Sequence, residues 1–360
     1  MNKNIINLLS WYQIHRRNLP WRQSANPYHI WLSEVILQQT RVDQGLPYYV
    51  RFAERFPNIR LLAKADQQEV YKLWQGLGYY SRADNMLKAA REVVQTYDGQ
   101  FPADLSLLKS LPGIGPYTAA AIASMAFGLP HAVVDGNVYR VLARAFGVDT
   151  PINTTSAHKQ FQQLAESLMP PDEAANFNQA MMELGALVCK PAHPECDSCP
   201  LSDMCFAFNN HQIDRFPVKN PKTRQKEVFL NYFVINTLKS GQPHTFIYKR
   251  PKGDIWAHLY DFPFVQTEAP ISPEKAISEA VNRGWLDPAS LVINHVSPDY
   301  KHLLTHRKIF ARFISVTISP PISDILKNTL LLVEQTSLTD YPVSVLTERY
   351  LRECLLKKKS

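Results

Sequence analysis

Apolar residues recur at helical spacing through the first 205 positions of the chain. The runs Ile5 to Tyr12, Ile30 to Leu37, Arg82 to Tyr97, Ala119 to Phe127, Val138 to Phe146, Phe161 to Met169 and Phe177 to Val188 each predict a helix with one face turned to a core. Asp104 to Lys109 predicts a further short one. Turn residues punctuate them at Asn26-Pro27, Gly76-Leu77-Gly78 and Leu111 to Pro116. Residues 206–226, with Asn209-Asn210, Pro217, Pro221 and scattered Lys and Arg, read as a polar linker. Beyond it Val228 to Ile235, Thr245 to Tyr248, Leu259 to Val265, Leu291 to His295 and Ile309 to Ile318 are short and rich in β-branched and aromatic residues, which predicts strands. Pro273 to Val281 predicts a helix among them. The pattern divides the chain into an all-α domain over 1–205, a linker over 206–226 and a smaller α/β domain over 227–360, without internal repeats.

The 360 residues suit two or three domains at roughly 100 to 200 residues each. With 45% apolar and 20% charged residues, disorder, collagen and fibrous repeats are excluded. Met1 to Arg17 lacks a signal-type apolar stretch, and the weakly polar run Thr118 to Val134 contains Pro130 and His131, so no membrane association and a cytoplasmic location are expected. The net charge of +7 is concentrated late: residues 1–220 hold 20 Lys/Arg against 19 Asp/Glu, and residues 221–360 hold 19 against 13. Part of that excess is the tail Lys357-Lys358-Lys359. A basic balance suits a polyanionic partner without identifying one.

Four of the five cysteines, Cys189, Cys196, Cys199 and Cys205, fall in one segment with spacing C-x6-C-x2-C-x5-C. Soft ligands that close together point to a metal or cluster site, and both zinc and an iron-sulfur cluster accept four thiolates. Zinc ribbons usually carry two C-x2-C pairs, and here there is one. Cys354 stands alone. The stretch Leu111-Pro-Gly-Ile-Gly-Pro-Tyr-Thr-Ala joins two predicted helices. Gly113 and Gly115 let backbone amides face outward ahead of a helix N-terminus, which suits a DNA phosphate; an ordinary tight turn has the same composition. Two acids stand out. Glu34 lies within the apolar run Trp31-Leu-Ser-Glu-Val-Ile-Leu, and Asp135 within Val133-Val-Asp-Gly-Asn-Val just before a helix. A buried acid is costly unless paired or used, whereas Asp135 as a helix N-cap and Glu34 on an exposed helix face need no function.

Together these motifs resemble the helix-hairpin-helix superfamily of DNA glycosylases and, within it, the adenine DNA glycosylase (MutY) family. Leu19-Pro-Trp-Arg, Ser33-Glu-Val-Ile-Leu-Gln-Gln-Thr, Gly76-Leu-Gly-Tyr-Tyr-Ser-Arg, Leu111-Pro-Gly-Ile-Gly, Val134-Asp-Gly-Asn-Val, Glu183-Leu-Gly-Ala-Leu-Val-Cys and the cysteine loop follow in family order over nearly the whole chain. The endonuclease III-like relatives use a lysine nucleophile just after the hairpin. Tyr117 takes that place, with no lysine between Lys109 and Lys159. Tyrosine forms no Schiff base, so the resemblance implies a monofunctional glycosylase that uses water as final acceptor.

The resemblance implies excision of adenine mispaired with 8-oxoguanine or guanine in duplex DNA, by a monomer carrying a 4Fe-4S cluster on Cys189, Cys196, Cys199 and Cys205. Glu34 would be the acid that protonates adenine and Asp135 the carboxylate beside an oxocarbenium-like sugar, with Tyr117 and Asn137 orienting Asp135 and the water. Gln38 and Tyr79 would be wedge residues that fill the stack when a base is flipped out. Arg17, Leu19, Trp21, Gln179 and Glu183 would line the adenine pocket. The C-terminal domain resembles a Nudix domain, but its helix offers only Glu274 and Glu279 of the acidic cluster a hydrolase needs, so no hydrolase activity is expected. Its family role is to read 8-oxoguanine through a Phe-Ser-His loop. Here Leu304-Thr305-His306 keeps a hydroxyl at Thr305 and the imidazole of His306 and replaces the aromatic. The alternatives are a thymine or uracil mismatch glycosylase of the same superfamily, and a catalytically inactive binder of damaged DNA.

Overall fold

A computed structural model describes residues 3–221, 225–304 and 306–355. The first part of the chain runs through α1 (Lys3–His15), α2 (Pro27–Leu37), α3 (Val42–Arg55), α4 (Ile59–Ala63), α5 (Gln67–Trp74), α6 (Ser81–Thr96), α7 (Leu105–Ser110), α8 (Pro116–Phe127), α9 (Gly136–Phe146), α10 (Thr155–Leu168), α11 (Ala174–Leu187) and α12 (Phe206–Asn209). The second part runs through β1 (Lys226–Lys239), β2 (Gln242–Lys249), β3 (Tyr260–Asp261), β4 (Phe264–Thr267), α13 (Pro273–Asn282), β5 (Leu291–Val296), β6 (Tyr300–Leu303), β7 (Arg307–Ile318), α14 (Asp324–Thr329), β8 (Leu331–Glu334) and α15 (Val345–Tyr350). The chain forms two compact units. One holds residues 3–65 and 84–221; the other holds 66–83 together with the chain after the 222–224 segment.

The helical unit is built from capped helices. Asn58, Asp104, Asp135 and Thr154 precede α4, α7, α9 and α10, and each side chain accepts a backbone N–H two or three residues on. Helix α2 departs from the amphipathic pattern: Tyr28 and every residue from Ile30 to Ile36 is buried. Helix α8 is similar, buried from Thr118 to Ser124, and its alanines at 119–121 and 123 present little bulk to a neighbouring helix. Helices α1, α9, α10 and α11 enclose a core of Leu8, Tyr12, Leu142, Phe161, Phe177 and Leu184. Buried Asn178 of α11 ties this core to the segment that leads into α9. Its carbonyl oxygen accepts the Val133 N–H at 2.9 Å, and its amide donates to His131 O and Ser124 Oγ, both at 2.8 Å.

Residues 206–221 belong to this unit. Ala207 and Phe216 are buried, and the Phe216 carbonyl accepts from the Arg144 side chain. A polar composition there reflects the outer face of a segment that is tied down on its inner one.

The second unit is a mixed sheet of order β3-β2-β1-β7-β5, with β4 also on β1, β6 on β7 and β8 on β2. Strands β1 and β7 pair in parallel from Lys226–Arg307 to Asn236–Thr317, and the other pairings are antiparallel. Both central strands are covered on two faces, which explains the unbroken buried run Leu230 to Ile235. One face packs Phe233, Ile314 and Val316 against Ala276 and Ala280 of α13. On the other, Phe313 stacks between Tyr232 and Tyr350, at 4.7 and 4.0 Å between ring centroids. A fully buried Arg250–Asp261 ion pair at 2.7 Å is completed by hydrogen bonds from Tyr232 and Thr347 to Asp261. Residues 66–83 join this unit through a Lys72 ammonium donating to the Thr339 carbonyl, the Tyr80 hydroxyl on Val343 O and the Tyr71 ring beside His258.

Asn178→Leu removes three hydrogen bonds from a buried site and strands the Val133 N–H. Urea denaturation should show a loss of roughly 2 to 4 kcal/mol; a loss within 0.5 kcal/mol would mean that the 131–133 segment does not depend on it.

Candidate active site

Glu34 sits in the last turn of α2 with only 8% of its surface exposed. Burial pushes its carboxyl up to about 7. A hydrogen bond with the Tyr117 hydroxyl opposes the shift, the nearby Asp135 carboxylate adds to it and Arg22 opposes it. Tyr117 opens α8, directly after the hairpin. Its own hydroxyl is held neutral by burial and by the fields of Glu34 and Asp135, and it also lies 3.6 Å from Sδ of Met182 on α11.

Asp135 is the N-cap of α9. One carboxylate oxygen accepts the N–H groups of Asn137 and Val138 at 2.9 and 2.8 Å, and the other accepts the Asn137 amide at 2.8 Å. Burial raises its pKa, and these three hydrogen bonds and Arg140 counter that. The bonds that start α9 therefore also fix the carboxylate's orientation. Asn137 is held in turn by Arg140, which donates to Asn137 Oδ1 at 2.9 Å, Gly185 O at 2.7 Å and Cys189 O at 2.6 Å. One turn on, Arg144 donates to the carbonyls of Lys190, Pro191 and Phe216 and approaches Cys189 Sγ at 3.5 Å. Gly185 lies so close to Asn137 that a Cβ would sit 2.5 Å from its Cβ.

Cys189, Cys196, Cys199 and Cys205 line one small cavity with Arg144, Val188 and Ile213. Burial raises the thiols of Cys196, Cys199 and Cys205, that of Cys199 to about 12, while backbone N–H groups aimed at Cys199 and Cys205, together with Arg144, favour the thiolate. Among the described residues no three His, Cys, Asp or Glu side chains are gathered tightly enough to share one ion. Lys190, the only Lys or Arg between Cys189 and Cys205, is paired with Glu195 at 2.5 Å.

Glu183 of α11 is wholly buried and accepts from Arg17 N, Nε and Nη2 and from Arg22 Nη2, at 2.8 to 2.9 Å. Burial alone would raise its pKa; the two arginines outweigh it and hold the carboxyl down at about 2. Gln179, one turn before, accepts the Tyr12 hydroxyl at 2.6 Å. Leu19 and Trp21 are buried, and Trp21 meets the Tyr49 ring edge-on at 4.9 Å. Arg17 and Glu183 thus share one polar network with Arg22, Gln179 is bonded to Tyr12, and Trp21 is packed as a core residue.

Gln38 ends α2 and donates to Thr118 of α8 at 3.3 Å. Gly113 has φ +73° and would place a Cβ 2.6 Å from Asn85 Cβ, so the hairpin requires glycine there. Gly115 is the N-cap of α8 with open space beside it. In the second unit, Tyr79 is half exposed on a left-handed backbone, φ +49°, with the Arg82 guanidinium 5.8 Å from its ring and 5.0 Å from that of Trp74. His306 is exposed ahead of β7, its carbonyl bonded to Lys226 N; Thr305 lies outside the described residues.

The sequence reading missed Arg22, Arg140, Arg144 and Met182. The signal for the arginines was present: Arg22 belongs to Leu19-Pro-Trp-Arg, and Arg140 and Arg144 are charges four apart within an otherwise apolar helix.

A model of the HhH-GPD superfamily of base excision DNA repair proteins matches residues 32–171. An adenine DNA glycosylase of Buchnera aphidicola (subsp. Baizongia pistaciae) is 34% identical over 316 residues, covering 87% of this chain and 85% of that one. The adenine DNA glycosylase of Mus musculus is also 34% identical, over 87% of this chain and 70% of its own. Among solved structures, a thermostable thymine-DNA glycosylase is 31% identical and superposes with a TM-score of 0.53, covering 57% of this chain and 95% of that one.

The Glu183 network carries a pH signature. Its carboxyl is depressed on folding, so its contribution is complete above the ordinary carboxylate pKa of 4.5 and disappears as pH falls through about 2. Glu183→Gln should lose stability at pH 7, and the gap to wild type in urea melts should narrow as pH drops from 5 to 3. A gap that is constant with pH would show that the arginines do not hold Glu183 ionised.

Proposed function

The chain belongs to the adenine DNA glycosylase family, and it is a DNA glycosylase of base excision repair; we propose that it excises adenine mispaired with 8-oxoguanine or guanine and leaves the DNA backbone intact. The observation that carries this reading is the pair of buried carboxyls, Glu34 and Asp135, whose charges both act on Tyr117. Breaking an N-glycosidic bond needs a proton for the departing base and a negative charge beside the sugar. Burial lifts the Glu34 carboxyl to about 7, so that it can carry a proton near neutral pH, and the amide cradle at the α9 N-terminus favours a charged Asp135. Glu34 then protonates adenine, Asp135 stabilises the oxocarbenium-like sugar, and Asn137 and Tyr117 hold the two acids and the attacking water in register. Tyr117 in place of a lysine supports the monofunctional outcome.

Gln38 and Tyr79 serve as wedge residues, Gly113 and Gly115 present backbone amides to a phosphate, and Arg17, Gln179 and Glu183 with Leu19 and Trp21 bound the adenine pocket. The domain over 227–360 reads the opposing 8-oxoguanine as a Nudix-like module, through Thr305 and His306. A 4Fe-4S cluster fits the donor set: four half-buried cysteines ring one cavity, with N–H groups and Arg144 directed at their sulfurs. Cys189, Cys196, Cys199 and Cys205 would hold it, and it would supply a rigid anchor for the loop from which Arg140 and Arg144 take their carbonyl partners.

The thymine-DNA glycosylase likeness is the basis of a second reading. It stops at 57% of the chain, whereas the adenine glycosylases reach 87%, and Glu34 has no evident task with a leaving group that needs no protonation.

Purified protein should release adenine from duplexes with adenine opposite 8-oxoguanine or guanine and not opposite thymine, with strand breaks only after alkali. Asp135→Asn should lower the rate at least about a thousandfold. Because Glu34 acts protonated, excision should decline as pH rises through about 7. Thymine or uracil release in place of adenine would transfer the chain to the second reading.

A further inference from the structure

A hydroxyl group has one proton to give, and that of Tyr117 faces two acceptors: the Glu34 carboxyl and the Met182 thioether, 3.6 Å away. When Glu34 is ionised, the charge-assisted bond to the carboxylate is the stronger, and Tyr117 donates there. When Glu34 is protonated, its own O–H can donate to the Tyr117 oxygen, and the Tyr117 proton must then go elsewhere. A thioether accepts and never donates, so Met182 fixes the direction of that second arrangement. Met182 is also confined, packed with Ala120, Ala121 and Val133 beside Tyr117.

We propose that Met182 is a positioning residue for the acid step: its sulfur accepts a hydrogen bond from the Tyr117 hydroxyl when Glu34 carries its proton, and so favours the form of Glu34 that protonates the leaving base. The inference rests on Glu34 as the acid. The other groups acting on Glu34 are Asp135 ahead of α9 and Arg22 from the turn before α2, and Met182 on α11 adds no charge of its own. Without the sulfur, protonated Glu34 loses the arrangement in which it donates to Tyr117 and keeps only the one in which the Tyr117 hydroxyl donates to its carbonyl oxygen, whereas the ionised state is unaffected. The equilibrium shifts toward the carboxylate.

Met182→Leu removes the acceptor with little change in volume. The measurement is kcat/KM for adenine release against pH, from 5.5 to 9, on a duplex with adenine opposite 8-oxoguanine, for wild type, Met182→Leu, Tyr117→Phe and the double variant. The alkaline limb of Met182→Leu should move down by roughly half to one pH unit, with about three- to tenfold less activity at pH 8 and little change at pH 6. In the Tyr117→Phe background the same substitution should move nothing. A midpoint does not depend on the active fraction, so partial misfolding does not mimic this result. An equal loss at every pH, or none, overturns the proposal and leaves Met182 as packing. Separately, a wild-type profile without an alkaline limb, or base release retained in Glu34→Gln, would sink the assignment of Glu34 and this inference with it.

Discussion

A carboxyl carried by a helix that is buried on every side must be neutral, paired or served by its neighbours. Helix α2 imposes that constraint on Glu34, and much of the helical unit follows from it. The alanines of α8 leave room beside a fully buried helix. The hairpin ahead of α8 ends so that Tyr117 meets the carboxyl. Arg22, close enough to act on Glu34, is committed to Glu183 by a direct bond and leaves Glu34 its proton. Two buried carboxyls in one unit thus shift in opposite directions. Glu183 has two guanidiniums that hold it down at about 2; Glu34 has a phenol, and burial lifts it to about 7.

Asp135 shows a second economy. N-capping is a structural task, and any Ser, Thr or Asn could perform it. Only a carboxylate combines it with negative charge, and the same two backbone amides that start α9 restrain the oxygens that a reacting sugar would meet. Behind it, Asn137, Arg140 and the carbonyls of Gly185 and Cys189 form a continuous chain of hydrogen bonds into the cysteine loop. Arg140 and Arg144 lie on one face because they are four residues apart, so a single helix carries the carboxylate at its end and grips the loop along its side.

The architecture was legible because helical and strand periodicities change sharply near residue 226, and because ordered motifs identify a family that no single one would. Position within the family motifs also named Glu34 and Asp135. What periodicity hid was burial. Glu34 reads equally as an exposed helix position, since a fully buried helix has no polar face to give it away. Residues 206–221 read as a linker because their anchors, Ala207, Phe216 and the carbonyl held by Arg144, are few and partly backbone. Strands β6 and β8 were missed because each is four residues long and mixes polar with apolar positions. Met182 escaped because a methionine in an apolar helix looks like filler until a hydroxyl is found beside it.

The grouping of residues 66–83 with the sheet has a consequence for biosynthesis. The segment leaves the ribosome about 140 residues before β1 exists and long before Thr339 and Val343, its partners. Meanwhile Val70, Tyr71 and Trp74, buried in the finished protein, lack their final surroundings. The flanks of the segment meet within the helical unit, where Arg91, after it, donates to the carbonyls of Ala63 and Ala65, before it. The nascent chain therefore carries residues 66–83 without these late contacts until Thr339 and Val343 have been made.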